Sequence, residues 1–405
     1  VAHHLGRLTS TPVRASGSHR GGQSAADEAL AAFDVTGYAA TRSLVEPAAE
    51  RGASGLSPWI RHGLLPLRRV WDHVGGGPAR DVERFRDELL WQEYARHLHA
   101  RLGDRTRWSL RGEPESGADE QWSPEEREMA CVGTELRTLE QDGWVTNQSR
   151  LWLASQWSVR GRRRWQAGED LMFRSLLDGS RAANRLGWQW TSGAGSAKPH
   201  VWTRGQVEQR APGRCAGCAR RDDCPVETAP QPGHLDETVD GGTDQLLRRD
   251  DAPWITAGPQ VAERSGADPP DTVWVTAESL GDDDPALVAH PDRPVVFVFD
   301  EPLLAQLRLS GTRLVFLAEC LADLATRRPV EVHLGDPSEV LRDRHVATTA
   351  APVPGNRRHR SRLGDALAET HPWPWLVVPH DGSVRSFSAW RRRAVLPGAA
   401  PTNRR

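Results

Sequence analysis

Gly143-Trp-Val-Thr-Asn-Gln-Ser-Arg150, then Arg164-Trp165, then Asp178-Gly-Ser-Arg-Ala-Ala-Asn184-Arg-Leu-Gly-Trp188-Gln-Trp190, is the stretch on which the reading of this chain turns. Asn147 and Arg150 are three apart, so on a helix they share a face. A partly buried Arg150 needs a carboxylate, and Asp178 is the natural partner. Trp188 and Trp190 are two apart, point to different sides of a helix and can serve different partners. Spacing alone favours the plainer reading, in which the tryptophans are core and the Arg–Asp pair is structural.

Outward from this stretch, the chain has 405 residues, 38% hydrophobic and 26% charged, with room for two or three domains. That balance excludes a chain disordered throughout and a membrane-embedded one, and no apolar run reaches the roughly 18 residues of a membrane span. The polar opening, Val1 to Arg20, lacks the apolar core of a secretory signal. Five cysteines in a chain of this length are not a disulfide scaffold, so a reduced, cytoplasmic setting is expected, where clustered cysteines point to metal. A net charge of -2 provides no global field for nucleic acid, and Lys198 is the only lysine, so phosphate contacts would be arginine forks. Seventeen Trp stand against 7 Phe and 2 Tyr. Indoles pack, stack on bases and pass single electrons, which leaves three uses open.

Texture divides the chain into a polar arm (1–25), a region of helical apolar patterns (26–230), a Pro/Gly/Asp/Thr-rich linker (231–269), an α/β domain (270–395) and a tail (396–405). Helical spacing runs over Val82 to Leu102, Ser149 to Val159 and Asp170 to Leu177, with no period-2 strand between them. Thr272-Val-Trp-Val-Thr276 and Val330-Glu-Val-His-Leu334 read as strands, and Pro294-Val-Val-Phe-Val-Phe299 as a strand buried on both faces. With the helical spacing of Leu314 to Leu324 between them, they predict a parallel βαβ arrangement. Neither GxGxxG nor GxxxxGK[ST] occurs.

Two further clusters carry chemistry. Gly52-Ala-Ser-Gly-Leu-Ser-Pro58 is a hydroxyl- and glycine-rich turn opening a helix, which suits a phosphate but alone reads more simply as a cap. Cys131, then Cys215-Ala-Gly-Cys218, then Cys224-Pro225 form a metal pattern open to zinc or to an iron–sulfur cluster. Cys320 lies in an apolar helix and reads as a core thiol.

Taken in order, these motifs resemble the DNA photolyase/cryptochrome family: Gly-Trp-x-x-Asn-x-x-Arg, a tryptophan, Asp-Gly-x-x-Ala-x-Asn and Trp-Gln-Trp, preceded by Ser54-Gly-Leu-Ser-Pro58 and Glu88-Leu-Leu-Trp91-Gln-Glu-Tyr. The resemblance covers nearly all of residues 26–205 and implies an all-helical FAD-binding domain followed by an α/β antenna-like domain. It further implies that Ser54, Leu56 and Ser57 hold the phosphates and ribitol of FAD. Tyr38, Trp144, Asn147, Arg150, Asp178 and Ala183 would line the cofactor, with Asn184 facing flavin N5. An amide there adds no negative charge beside a reduced flavin, which favours repair over sensing. Trp188 and Trp165 would pass electrons to the flavin, with Trp108 the candidate outer station. Glu88, Trp91, Asn147, Gln148 and Trp190 would meet a flipped-out pyrimidine dimer, two indole faces holding the base and Glu88 moving a proton.

Departures accompany the resemblance. Ser180 replaces an acid, Gln148 an arginine and Leu151 a methionine, each weakening flavin or DNA contacts. Met129-Ala-Cys131, the three later cysteines and Lys198-Pro199 resemble a bacterial subgroup that holds a [4Fe-4S] cluster, so iron–sulfur is expected ahead of zinc. That subgroup's paired histidines are replaced by Thr146-Asn147, as in enzymes acting on cyclobutane dimers. Residues 272–395 resemble the antenna domain that opens other family members, which implies a circular permutation. Ala277 and Glu278 replace that domain's arginine-rich opening, implying an altered or vacant pigment pocket. The expectation is a monomeric, blue-light-driven photolyase-like enzyme acting on UV-damaged DNA, with no membrane partner. A cryptochrome-like photoreceptor that does not repair DNA is the alternative. A metal-containing DNA-binding protein without flavin is a third reading, which leaves the flavin motifs unexplained.

Overall fold

A computed structural model describes residues 1–117, 121–196, 198–230, 235–236, 247, 256–265 and 268–398. The helices used below are α1 (Gln23–Ala32), α2 (Tyr38–Thr41), α3 (Ser57–Arg61), α4 (Ala79–Leu102), α5 (Ala130–Asp142), α6 (Asn147–Ser155), α7 (Trp165–Ser175) and α8 (Arg181–Ser192). The longest, α4, buries Val82, Phe85 and Leu89 at helical spacing and ends at Gly103, whose φ of +57° costs a glycine little. In its first turn the Asp81 carboxylate accepts from the backbone N–H groups of Gly37 and Ala39 at 3.0 and 2.8 Å, fixing α2 and with it Tyr38. Thr146 caps α6, its hydroxyl accepting from the Ser149 N–H at 3.2 Å. The spacing predicted continuous α-helix to Val159, but a π-helical turn spans Gln156–Arg160 and seats Trp157 wholly out of solvent.

The α/β domain holds a six-stranded sheet. Its strands are β1 (Glu263–Arg264), β2 (Thr272–Val275), β3 (Val295–Asp300), β4 (Val330–Gly335), β5 (Val346–Thr349) and β6 (Leu367–His371), in the order β1-β6-β5-β2-β3-β4. All neighbours are parallel except β1, which runs antiparallel to β6. The apolar run of β3 is interior, flanked by β2 and the edge strand β4, with Val295↔Val330 and Phe297↔Val332 in register on β4. Helices α9 (Pro285–Ala289), α10 (Gly311–Leu324) and α11 (Phe387–Arg391) belong to the same half of the chain. The order reverses between β2 and β5, as in doubly wound sheets.

Two expectations are corrected. Glu263–Arg264 pairs with β6, so the sheet begins inside the segment read as linker. Of that segment, residues 231–234, 237–246, 248–255 and 266–267 lie outside the described residues, as do 399–405 of the tail. The segment read as a polar arm is packed into the fold. Leu5 and Leu8 are buried in the main core, the Ser10 N–H donates to the Leu309 carbonyl at 3.0 Å, and α1 begins at Gln23. Contact is backbone to backbone: a Cβ on Gly21 would stand 2.2 Å from the Phe316 oxygen, and one on Gly311 2.4 Å from the Pro12 oxygen. Glycine pairs of this kind are invisible to a polarity count.

One core runs through both halves, joining Leu56, Leu90 and Tyr94 to Val273, Phe297, Phe316 and Trp390. A second gathers Trp152, Trp157, Trp165, Trp188 and Trp202 with Cys131 and Cys215. The helical and α/β parts also meet through Arg61, which reaches Glu278 at 2.7 Å and the Gly179 carbonyl at 2.9 Å. Arg313 donates to the same carbonyl at 2.8 Å and to that of Phe173 at 2.9 Å. Two guanidinium groups thus hold the turn that carries Asp178.

Candidate flavin site

Gly143 places the centre of the site. Its φ is +67°, and a Cβ there would lie 2.9 Å from Leu177 Cγ, so only glycine lets the turn before α6 lie against the turn after α7. The Leu177 N–H donates to the Gly143 carbonyl at 2.8 Å, and Trp144 and Asp178 become neighbours. Arg150 Nη2 donates to Asp178 Oδ2 at 2.8 Å, and Arg150 Nε to the Val145 carbonyl at 3.1 Å. Trp144 Nε1 donates to Ser57 Oγ at 3.0 Å, and the Ser57 hydroxyl in turn faces Asp178. Burial works to raise the pKa of Asp178, but the charge and hydrogen bond of Arg150, with the Ser57 hydroxyl nearby, outweigh it and hold the carboxyl below its ordinary value.

His19 was not anticipated here. Its Nε2 lies 3.1 Å from the Gly55 carbonyl, and its ring centroid 5.3 Å from those of both Trp59 and Trp144. Burial lowers its pKa, so the ring is neutral at pH 7. No local pattern marks a histidine in a Ser/His/Gly/Arg stretch as a site residue.

Ser54, Leu56 and Ser57 lie together at the start of α3, with Gly55 at a φ of +69° and Leu56 fully buried. Tyr38 is buried edge-on to Phe85 at 5.0 Å, and burial pushes its phenol pKa well up. Glu88 pairs with Arg42 at 2.6 Å; burial raises its pKa against the opposing pull of that arginine. Asn147 is exposed, Gln148 half-buried, and Ala183 exposed on α8. Asn184 sends both amide hydrogens to Glu169, to the backbone oxygen and to Oε1, each at 2.9 Å.

The tryptophans divide by burial. Trp188 and Trp165 are buried, at 3% and 2% exposure, and Trp165 Nε1 donates to Ser109 Oγ at 3.0 Å, one residue from the largely exposed Trp108. A Cβ on Gly168 would stand 2.4 Å from the Trp188 ring and 2.8 Å from Trp157 Cδ1, so the two indoles meet across that glycine. Trp91 and Trp190 are over one-third exposed, on helices α4 and α8 that pack together. Each has a ring against it: Phe387 of α11 stacks on Trp91 at 4.0 Å and 9°, and His200 lies 3.9 Å from Trp190.

Cys131, Cys215, Cys218 and Cys224 line one small cavity with Met129, Arg204 and Pro225. All are free thiols, and the Ala130 N–H points at Cys218 Sγ at 3.3 Å. Burial, with the neighbouring thiols adding to it, pushes Cys131 up to about 12, and burial with Glu208 nearby pushes Cys215 up to about 11.

The residues fit the dinucleotide that the motifs imply. Asp178 Oδ1 and Trp188 Nε1 are buried without a hydrogen-bond partner, and the Ser54–Ser57 turn offers hydroxyls at a helix start. The class follows from fold and site together: a helical FAD-binding domain joined to a mainly parallel α/β sheet domain. Residues 85–209 match the family described as the FAD binding domain of DNA photolyase, which supports the photolyase/cryptochrome family for this chain. The deoxyribodipyrimidine photo-lyase of Synechococcus sp. is 28% identical over 162 residues, 36% of this chain and 34% of that protein. That of Thermus thermophilus is 30% identical over 155 residues, 36% of each. Among solved structures, a bacterial class III photolyase from Agrobacterium tumefaciens is similar at 26% identity and a TM-score of 0.39, covering 46% of this chain and 42% of that one. The chain thus spans about a third of the length of the curated relatives it matches. Among the described residues, no helix is long and apolar enough to cross a membrane.

Proposed function

We propose that this protein is an FAD-dependent, blue-light-driven photolyase-like enzyme that splits UV-induced pyrimidine dimers in DNA. The observation that carries the reading is the convergence of Ser57, Trp144, Arg150 and Asp178, with Trp188 and Trp165 buried in the adjoining core. Bound FAD, when fully reduced, supplies a photoexcited electron to the lesion. Ser54 and Ser57 would bind its phosphates and ribitol, and the Arg150–Asp178 pair, with Asp178 Oδ1 unpartnered, would lie beside the isoalloxazine. Leu56 and Tyr38 exclude water. Asn184 is oriented by Glu169, Ala183 lies one residue before it on α8, and Asn147 and Gln148 stand at the start of α6 toward DNA. Trp188 and Trp165 relay electrons inward from the protein surface near Trp108. Glu88, whose raised pKa lets it keep a proton nearer neutrality than an ordinary carboxyl, holds or returns a proton at the lesion. Trp91 and Trp190 stack on the extruded bases.

The four cysteines hold a [4Fe-4S] cluster in this reading. Zinc at about 2.3 Å from each sulfur would hold them roughly 3.8 Å apart. Among the described residues, the one group of three ligating side chains with ligand atoms within 4.8 Å contains no cysteine. A cluster that gives each thiolate its own iron spreads them more widely. A reduced, cytoplasmic setting and a monomeric state go with this reading. The doubly wound order β4-β3-β2-β5-β6, following the helical domain in the chain, supports a circularly permuted antenna-like domain. Its Glu278 is committed to Arg61 rather than to a pigment.

A cryptochrome-like photoreceptor is the second reading, favoured by the rings that cover one face each of Trp91 and Trp190. The deciding experiment illuminates reduced, flavin-loaded protein with dimer-containing oligonucleotide. Restored thymines support the enzyme; bound flavin with cyclobutane and (6-4) lesions both left intact supports the receptor. Colourless protein that takes up no FAD refutes both.

A further inference from the structure

We propose that His290, Glu369 and His371 form a binding site for a divalent transition-metal ion of the zinc class, in the α/β domain and separate from the cysteines. Glu369 and His371 are two apart on β6, so both side chains leave the same face of the strand. His290 is the residue that ends α9, its N–H donating to the Ala286 carbonyl at 3.2 Å. Strand and helix end bring three ligand atoms within 4.8 Å of one another.

The two imidazoles flank the one carboxylate at spacings close to those of a metal's ligand shell, each against a different oxygen of Glu369. His290 Nε2 lies 3.4 Å from Glu369 Oε2, and His371 Nε2 lies 3.3 Å from Glu369 Oε1. Tetrahedral zinc, with bonds of about 2.0–2.1 Å, keeps its ligand atoms about 3.4 Å apart. His290 Nε2, Glu369 Oε2 and His371 Nε2 are all buried, and none has a hydrogen-bond partner. Three converging polar atoms left unsatisfied in one small volume are costly unless something binds between them. Glu369 and His371 are only 7% and 5% exposed, and the two imidazole planes stand 81° apart, as ligands from different elements would.

The chemistry of the set narrows the ion. Two imidazoles and one carboxylate select zinc, cobalt or another late first-row ion over magnesium or calcium, which take oxygen. Three protein ligands leave a position open, and the His290 side chain, 16% exposed, marks the side on which a water would enter. Arg264 Nε stands 3.8 Å from Glu369 Oε2, beyond hydrogen-bond range, on a side chain 73% exposed that is free to turn into solvent.

Cobalt separates this site from the cysteines in one titration. Thiolate-bound Co²⁺ gives intense near-ultraviolet charge-transfer bands, whereas nitrogen and oxygen ligands give only the weaker visible bands. A full-length Cys215→Ser/Cys218→Ser variant, stripped with chelator and kept reduced, is expected to bind one equivalent of Co²⁺ with visible bands alone. Added Zn²⁺ should displace it, and the parent should bind a further equivalent whose near-ultraviolet charge-transfer bands mark the cysteines. Loss of a supporting residue around a metal costs about 10–100-fold in affinity, so loss of a ligand in His371→Ala or Glu369→Gln should exceed that. His290→Ala, at the least buried ligand, repeats the test if a strand variant fails to fold, with circular dichroism reporting the fold. Absence of the visible bands from the Cys215→Ser/Cys218→Ser variant, or equal bands when His290→Ala is added to it, overturns the proposal.

Discussion

Gly168→Ala tests the indole packing directly. On a free helix face, alanine for glycine stabilises by about 1 kcal/mol. Here the added methyl would sit 2.4 Å from Cη2 and Cζ3 of Trp188 and 2.8 Å from Cδ1 of Trp157, where ordinary contact begins at 3.4 Å. Trp188 is 3% exposed and Trp157 0%, so neither ring has solvent to move into, and about 1 Å of displacement must be shared by the core. Overpacking of this kind costs roughly 1–3 kcal/mol, and rigid rings on both sides place it at the upper end. Set against the propensity gain, the expected net loss is about 2 kcal/mol, roughly 30-fold in the unfolding equilibrium. Gly187→Ala is the control: the residue precedes Trp188 on α8, and its added methyl would meet nothing within 4 Å. It should gain about 0.5–1 kcal/mol. Urea unfolding followed by far-ultraviolet circular dichroism measures both. Equal shifts of the same sign would refute the claim that Trp188 and Trp157 are wedged against Gly168.

Asp178→Asn should cost about 1–3 kcal/mol, below the 3–5 kcal/mol of a fully buried pair because Arg150 keeps 24% exposure. Since the folded carboxyl has the lower pKa, that contribution is present above about pH 4 and lost as pH falls through the folded value, so parent and variant should converge in acid. Asp284 carries the opposite sign: burial, only partly offset by Thr349 and two backbone N–H groups, raises its pKa to about 7. Its favourable contribution is complete below about pH 4 and fades as pH rises toward 7, so Asp284→Asn should gain on the parent across that window at up to about 1.4 kcal/mol per pH unit. A flat difference in thermal or urea midpoints over pH 4–7 would contradict it. Cys218→Ser should abolish the broad visible iron–sulfur absorbance of anaerobically purified protein; an unchanged spectrum removes Cys218 from the ligand set.

Several elements were legible because their side-chain period is local. The run at Pro294–Phe299 reads as a doubly buried strand without any knowledge of its neighbours, and the strand spans Val295–Asp300; Val82, Phe85 and Leu89 declare a helix face. The order of motifs around Trp144, Arg150 and Asp178 pointed to a flavin-binding helical domain, and the match over residues 85–209 supports it. The π-helical turn at Gln156–Arg160 was not legible, because the choice between i→i+4 and i→i+5 bonding depends on what surrounds Trp157.

What the chain's letters settle is which segments become strand and helix and which chemical groups each can offer, since those follow from periods of 2 and 3.6 and from side-chain type. Which groups meet was settled in three dimensions. His19 comes to Gly55 from a segment that reads as a polar arm, Arg61 and Arg313 converge on the one carbonyl of Gly179, and His290 reaches β6 from the end of a distant short helix. Each meeting depends on how whole elements pack, and packing is a property of the assembled core rather than of any window of sequence.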